Sequence, residues 1–314
     1  MAGSSLAQAE ERRVDLGASA RRTAQSAPPQ VFFVGSAIFH YLGPAFAVLL
    51  FARVGPLGVA WLRIASAAAI FGAWRRPWRR AGSSGRSSRR LVVVFGSVLA
   101  LMNAFFYLAI DRLPLATVAA VEFLPVIALA AIGVRNARNL VALALAVAGV
   151  YLLIDVRFES APLGVAFAFA NAGLFAAYIV LAHRVSRSPG LGGIDGLAAA
   201  MLVAAVVVTP IGGWSAATAL LDPVAIAAGI GVGVSSSVIP YVLDQLAMAR
   251  LARATYALMV SLLPATATVV GVLVLAQIPS AAELAGVALV VAAIAAHREA
   301  SGVAPEVEAE AIAA

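Results

Sequence analysis

The sequence predicts an all-α polytopic membrane protein: ten transmembrane helices in two inverted five-helix repeats, with both termini cytoplasmic. Three observations predict it. Hydrophobic residues fill 62% of the 314 positions before Gly is counted, and charged residues only 12%. Soluble domains sit near roughly 45–50% and about 25%. The apolar residues fall in runs close to the ~20 that cross a bilayer as helix, without the alternation of barrel strands. The Arg residues alternate from loop to loop in the manner of a multi-span protein.

The elements follow in order. Residues 1–30 are polar, with Arg12, Arg13, Arg21 and Arg22 and a Pro28-Pro29 break, and read as a disordered cytoplasmic tail. No short apolar core with a small-residue cleavage site precedes the first run, so it is no signal peptide. Apolar runs then cover 31–51, 56–74, 91–110, 114–133, 139–155, 162–182, 193–213, 223–245, 254–276 and 280–297. Pro56, Pro114, Pro162 and Pro223 stand at helix starts, where a missing N–H costs nothing. Residues 298–314 form a C-terminal cytoplasmic tail, acidic at its end.

All 22 basic residues are Arg. With the N-terminus inside, 18 fall on cytoplasmic segments, seven of them in the 75–90 loop. Three (Arg53, Arg112, Arg157) fall outside, and Arg63 lies within a span. A missed or extra helix would break this positive-inside alternation. Residues 108–124 match 246–262 at eight of seventeen positions, around a shared Arg-Leu-x-x-Ala-Thr core. The repeats are therefore placed at 31–155 and 162–297. Each holds an odd number of spans, so the second inserts upside down, a recurring build of secondary transporters with a site near the midplane.

Composition excludes several classes. With no Cys there are no disulfides, thiolate metal sites or cysteine nucleophiles, and His40, His183 and His297 are too dispersed for a metal centre. With no Lys there is no Schiff base and no P-loop. No cofactor is implied. The net charge of +7 reflects Arg-rich cytoplasmic loops rather than nucleic-acid binding. The implied partners are a small-molecule substrate and the lipid bilayer; a homodimer is compatible with the sequence.

Polar residues inside spans are the site candidates. Arg63 contacts substrate or a gate, or else snorkels and pairs structurally. Glu122 lies mid-span, where apolar surroundings favour the protonated acid, and is the proton-coupling candidate; Pro125 offers an opening of the helix beside it. Asp244 ends the eighth span and reads either as a gate residue or as a helix-end carboxylate facing Arg250 or Arg253, with Tyr241 just before it. His40 lies mid-span in the first helix beside Tyr41. Asn103, Tyr107 and Tyr178 line a cavity or serve as helix–helix contacts. Gly229, Gly231 and Gly233 read as a packing face rather than a nucleotide fingerprint.

Three segments carry a family resemblance: GVAWLRIASAAAIFGAWRRPWR at 58–79, LMNAFFYLAIDRLPLATVAAVEFLP at 101–125, and IPYVLDQLAMARLARATYALMVSLLPATATVVGVLVLAQ at 239–277. Over about residues 30–297 the chain resembles the drug/metabolite transporter superfamily, EamA family, of the bacterial threonine/homoserine exporter type. The resemblance implies ten helices in two inverted repeats, a plasma (inner) membrane location and export of small metabolites; with no G-x-S-x-G elbow, H-E-x-x-H run or phosphate-binding glycine loop, the sequence reads as no enzyme. Amino acids such as threonine and homoserine are the nearest association. An exporter of amphiphilic drugs or other metabolites is the alternative, and a membrane scaffold or embedded enzyme a remote one. One departure stands out: where the family often has Gly-Glu after the ninth span, this chain has Ala276-Gln277.

Overall fold

The computed structural model describes residues 28–81, 85–133, 137–158, 161–186, 193–217, 219–240, 243 and 262–296. Every regular element among them is helical. In chain order the long helices are α1 (Pro29–Val54), α2 (Pro56–Arg75), α3 (Arg86–Ile110), α4 (Leu115–Gly133) and α5 (Ala137–Phe158). They continue as α6 (Pro162–Ser186), α7 (Gly193–Ala217), α8 (Pro223–Gly233), α9 (Leu263–Leu275) and α10 (Ala281–Ala296). Five of them, α1, α2, α3, α6 and α7, are long and apolar enough to cross a membrane within their described residues. The other five contain shorter apolar helical stretches of 10–17 residues.

Local chemistry sets the ends. Gly55 reverses the chain between α1 and α2 at φ 73°, a conformation that costs glycine little, and its N–H closes α1 on the Phe51 carbonyl. Pro56 opens α2, and Pro223 opens α8 behind Asp222, whose carboxylate accepts from the Val224 N–H at 2.9 Å. Pro125 does not break its helix: α4 runs through it, as α1 runs through Pro44 and α7 through Pro210.

Outward positions carry large apolar side chains such as Leu49, Leu140, Tyr151, Val206 and Leu273. Lipid tails accept that surface while each helix satisfies its own backbone. Inward, small residues bring backbones together. A Cβ on Gly149 of α5 would lie 2.7 Å from the Gly286 carbonyl of α10, and one on Gly286 would lie 2.8 Å from the Gly149 carbonyl. Gly229 and Gly233 of α8 likewise sit against Leu62 and Ser66 of α2, while Gly231 faces open space.

The helix pairings are twinned. Exchanging the first five helices for the last five turns α3–α6 into α8–α1, α3–α7 into α8–α2, and α4–α6 into α9–α1. The pairs α2–α7, α5–α10 and α4–α9 map onto themselves, and all nine pairings are present. Four polar contacts tie helix ends across this division. Arg53 ends α1 and meets Asp222 before α8 at 3.3 Å; Arg75 ends α2 and meets Asp195 in α7 at 2.7 Å. Arg138, opening α5, donates to the Ala296 carbonyl of α10 at 2.6 Å, and the Leu115 N–H of α4 donates to Gln277 Oε1 at 3.1 Å.

Candidate functional site

Two charged residues in apolar helices, Arg63 of α2 and Glu122 of α4, are both buried. Each is held by a partner from the other half of the chain. Arg63 donates Nε–H to Ser237 Oγ at 3.1 Å and Nη2–H to the Ser236 carbonyl at 3.1 Å. The local sequence explains why that carbonyl is available. In a regular helix it would accept from residue 240, which is Pro and has no N–H. The chain passes from α8 into a π-helical turn at Val234–Val238, a widened geometry that recurs at functional sites. The guanidinium also lies over the Tyr107 ring, 5.6 Å from its centroid.

Described residues therefore take two of the five N–H donors of Arg63. The remaining three suit an anionic group, and a planar fork matches a carboxylate. Glu122 accepts from Asn171 Nδ2 of α6 at 3.1 Å through Oε1. Arg63 lies within electrostatic reach of both Glu122 and His40, and Glu122 within reach of Tyr41. Tyr41 and Tyr107 hydroxyls, Asn171 Oδ1 and Ser236 Oγ are buried without a hydrogen-bond partner among the described residues. Polar atoms left so in an apolar interior are costly, and such groups cluster where something else binds. The result is one buried cation, one buried carboxylate and several unspent hydrogen-bonding atoms on α1, α2, α3, α4, α6 and the turn after α8.

Comparison with known proteins agrees with this picture. The chain is 31% identical over 254 residues to the threonine/homoserine exporter RhtA of Escherichia coli K12, covering 80% of this chain and 84% of that one. The Salmonella typhimurium LT2 exporter of the same name is 30% identical over the same spans. The chain belongs to the threonine/homoserine exporter RhtA family. The resemblance to the threonine/homoserine exporter type is thus borne out, and the named members of the RhtA family are exporters, not enzymes. No family model matches the chain. A solved crystal structure superposes with a TM-score of 0.54 at 23% identity, covering 85% of this chain and 96% of its own, which shows a shared fold.

In this RhtA family member the sequence-derived candidates separate. Arg63 lies over Tyr107, with Glu122 and His40 within its electrostatic reach; His40 is half-buried with its ring edge-on to Tyr41 at 5.3 Å. Asn103 is buried nearby on α3, but its Nδ2 turns back to the Leu99 carbonyl at 2.8 Å, a contact within its own helix. Tyr178 packs in an aromatic row, stacked on Phe175 at 6.1 Å and against Phe95 at 5.3 Å. Phe175 in turn meets Phe123, beside Glu122, at 6.2 Å. Tyr241 and Asp244 lie outside the described residues. Sequence reasoning missed Asn171, because an Asn in an apolar helix looks like any helix contact. Ser236 and Ser237 carry no mark of their own in an apolar helix; the signal that finds Ser236 is Pro240 four residues on.

Proposed function

We propose that this chain is a multi-pass secondary transporter of the bacterial plasma membrane, exporting small amino acids of the threonine/homoserine type. The observation that carries the reading is the buried Arg63–Glu122 pair of charges. Each is anchored across the two halves, and each keeps unspent hydrogen-bonding capacity. An amino acid presents a carboxylate and an ammonium group to match. Arg63 takes the carboxylate, and Glu122 takes the ammonium group or a proton; Tyr41, Tyr107 and Ser236 offer hydroxyls to a polar side chain.

The ten-span, inverted-repeat topology belongs to the same proposal, as do cytoplasmic termini and EamA-family membership. The twinned helix pairings support two repeats, 31–155 and 162–297. The four end contacts support the alternation: each joins two ends that the Arg pattern assigns to the same side of the membrane. Transport proceeds by rocking one half against the other around the charged pair. Arg75–Asp195 closes the cytoplasmic side and Arg53–Asp222 the outer side.

Binding of labelled threonine to the purified chain tests the substrate class. Displacement by homoserine, and none by a hydrophobic cation such as tetraphenylphosphonium, is the expected result. The reverse order of competition overturns the amino-acid reading in favour of an exporter of amphiphilic drugs. Replacing Glu122 by Gln should flatten the pH dependence of transport while leaving the protein folded; an unchanged profile removes Glu122 from coupling.

A further inference from the structure

The Arg-rich end of α2 holds a second polar feature, apart from the buried Arg63–Glu122 site. A pocket of about 440 Å³ lies there, lined by Ala73, Trp74, Arg75, Arg76 and Arg79. Arg75 is spent on Asp195 at 2.7 Å. Arg76 and Arg79 are exposed and form no ion pair with a described residue. The backbone brings them to one turn: Arg76 ends α2 in the left-handed conformation at φ 47°, and the Arg79 N–H closes on the Arg76 carbonyl at 3.0 Å. Trp74 and Trp78 flank the turn, 55% and 56% exposed. Residues 75–90 hold seven Arg and no carboxylate of their own.

We infer that this turn is a binding site for the phosphate of an anionic glycerophospholipid. Arg76 and Arg79 hold the phosphate, and Trp74 and Trp78 sit at the glycerol level. The indole rings decide between a lipid and a free anion. Exposed Trp at the end of a membrane-crossing helix belongs at the headgroup boundary, where a phosphate arrives attached to acyl chains. The unpaired charges supply the attraction, and Arg matches a phosphate with its planar fork. Because Arg75 lines the same pocket and also holds Asp195, lipid occupancy borders the contact that joins α2 to α7.

The test uses the full chain in neutral detergent, with quenching of tryptophan fluorescence by brominated phosphatidylglycerol or brominated phosphatidylcholine. Each basic residue near an anionic lipid is worth roughly fivefold in binding, so two together are worth about 25-fold. Phosphatidylglycerol should therefore quench at concentrations about 25-fold below phosphatidylcholine. The double variant Arg76→Gln/Arg79→Gln should bring the two lipids within about twofold of each other. The double variant Arg89→Gln/Arg90→Gln removes the same charge from α3 and should keep the discrimination. Equal quenching by both lipids in the unaltered chain overturns the proposal. So does an equal loss in both double variants, which marks diffuse attraction. Displacement of phosphatidylglycerol by millimolar inorganic phosphate overturns it in favour of a free-anion site.

Discussion

Replacing Arg63 by Met separates substrate recognition from folding, because the structure sets the two effects against each other. The folded protein loses two charge-assisted hydrogen bonds, to Ser237 Oγ and the Ser236 carbonyl. Such bonds are worth about 1.5–3 kcal/mol each. It is relieved of holding a guanidinium in an apolar helix, which costs about 2.5–3.5 kcal/mol on insertion scales. The two partly offset, so the variant should lose at most roughly 3.5 kcal/mol of stability and stay folded. Substrate binding has no such compensation. Losing one charge-assisted contact to a carboxylate costs about 1.5–3 kcal/mol, a rise of roughly 10- to 150-fold in the half-saturating threonine concentration. Arg63→Lys keeps the charge but lacks the fork that serves Ser236, Ser237 and a carboxylate together, and should fall between. Labelled-threonine binding, read beside a thermal melt, measures both effects. A folded Arg63→Met protein whose half-saturation moves by less than about twofold refutes the assignment of Arg63 to the substrate carboxylate.

Other expectations follow from the loops and helix ends. The Val224 N–H holds the Asp222 carboxyl below its ordinary value of 3.8, so its contribution is present above that pH and is lost as pH falls through the folded value. The melting temperature should therefore drop less between pH 5 and pH 2.5 in Asp222→Asn than in the unaltered chain. Ala276 closes α9 in the left-handed conformation at φ 52°, so Ala276→Gly should raise stability by about 0.5–1 kcal/mol, read by thermal melting. Asp195→Asn should destabilise by about 1–3 kcal/mol by loosening α2 from α7, and the swapped pair Arg75→Asp/Asp195→Arg should recover part of that loss. Gly149→Ala should cost roughly 1–3 kcal/mol by forcing α5 off the Gly286 carbonyl, while Gly231→Ala, whose added Cβ meets open space, should cost nothing.

Much of the helix layout is legible in the sequence because prolines and glycine mark the boundaries. Pro56, Pro162 and Pro223 open helices where they were expected, and Gly55 makes the turn before the first of them. Arg63 and Glu122 were legible for another reason: an ionised group in an apolar run is costly enough to need an explanation. Their partners were not, since Ser237 lies 174 residues from Arg63 and Asn171 lies 49 from Glu122. No periodicity in one chain reports a contact of that separation. Pro125 misled in the opposite direction, because packing of α4 against α6 and α9 holds a helix through a missing N–H. Ala276-Gln277, the departure from the family's Gly-Glu, has a local role: Gln277 Oε1 accepts the Leu115 N–H and links the end of α9 to the start of α4.

Counterflow in proteoliposomes tests the central claim most directly. Vesicles loaded with unlabelled threonine, with homoserine or with neither are placed in labelled threonine, with and without an imposed pH gradient. Accumulation of label in the threonine- and homoserine-loaded vesicles, and none in the empty ones, is the expected result. Folded, inserted protein that accumulates no label under any loading contradicts the assignment of amino-acid export.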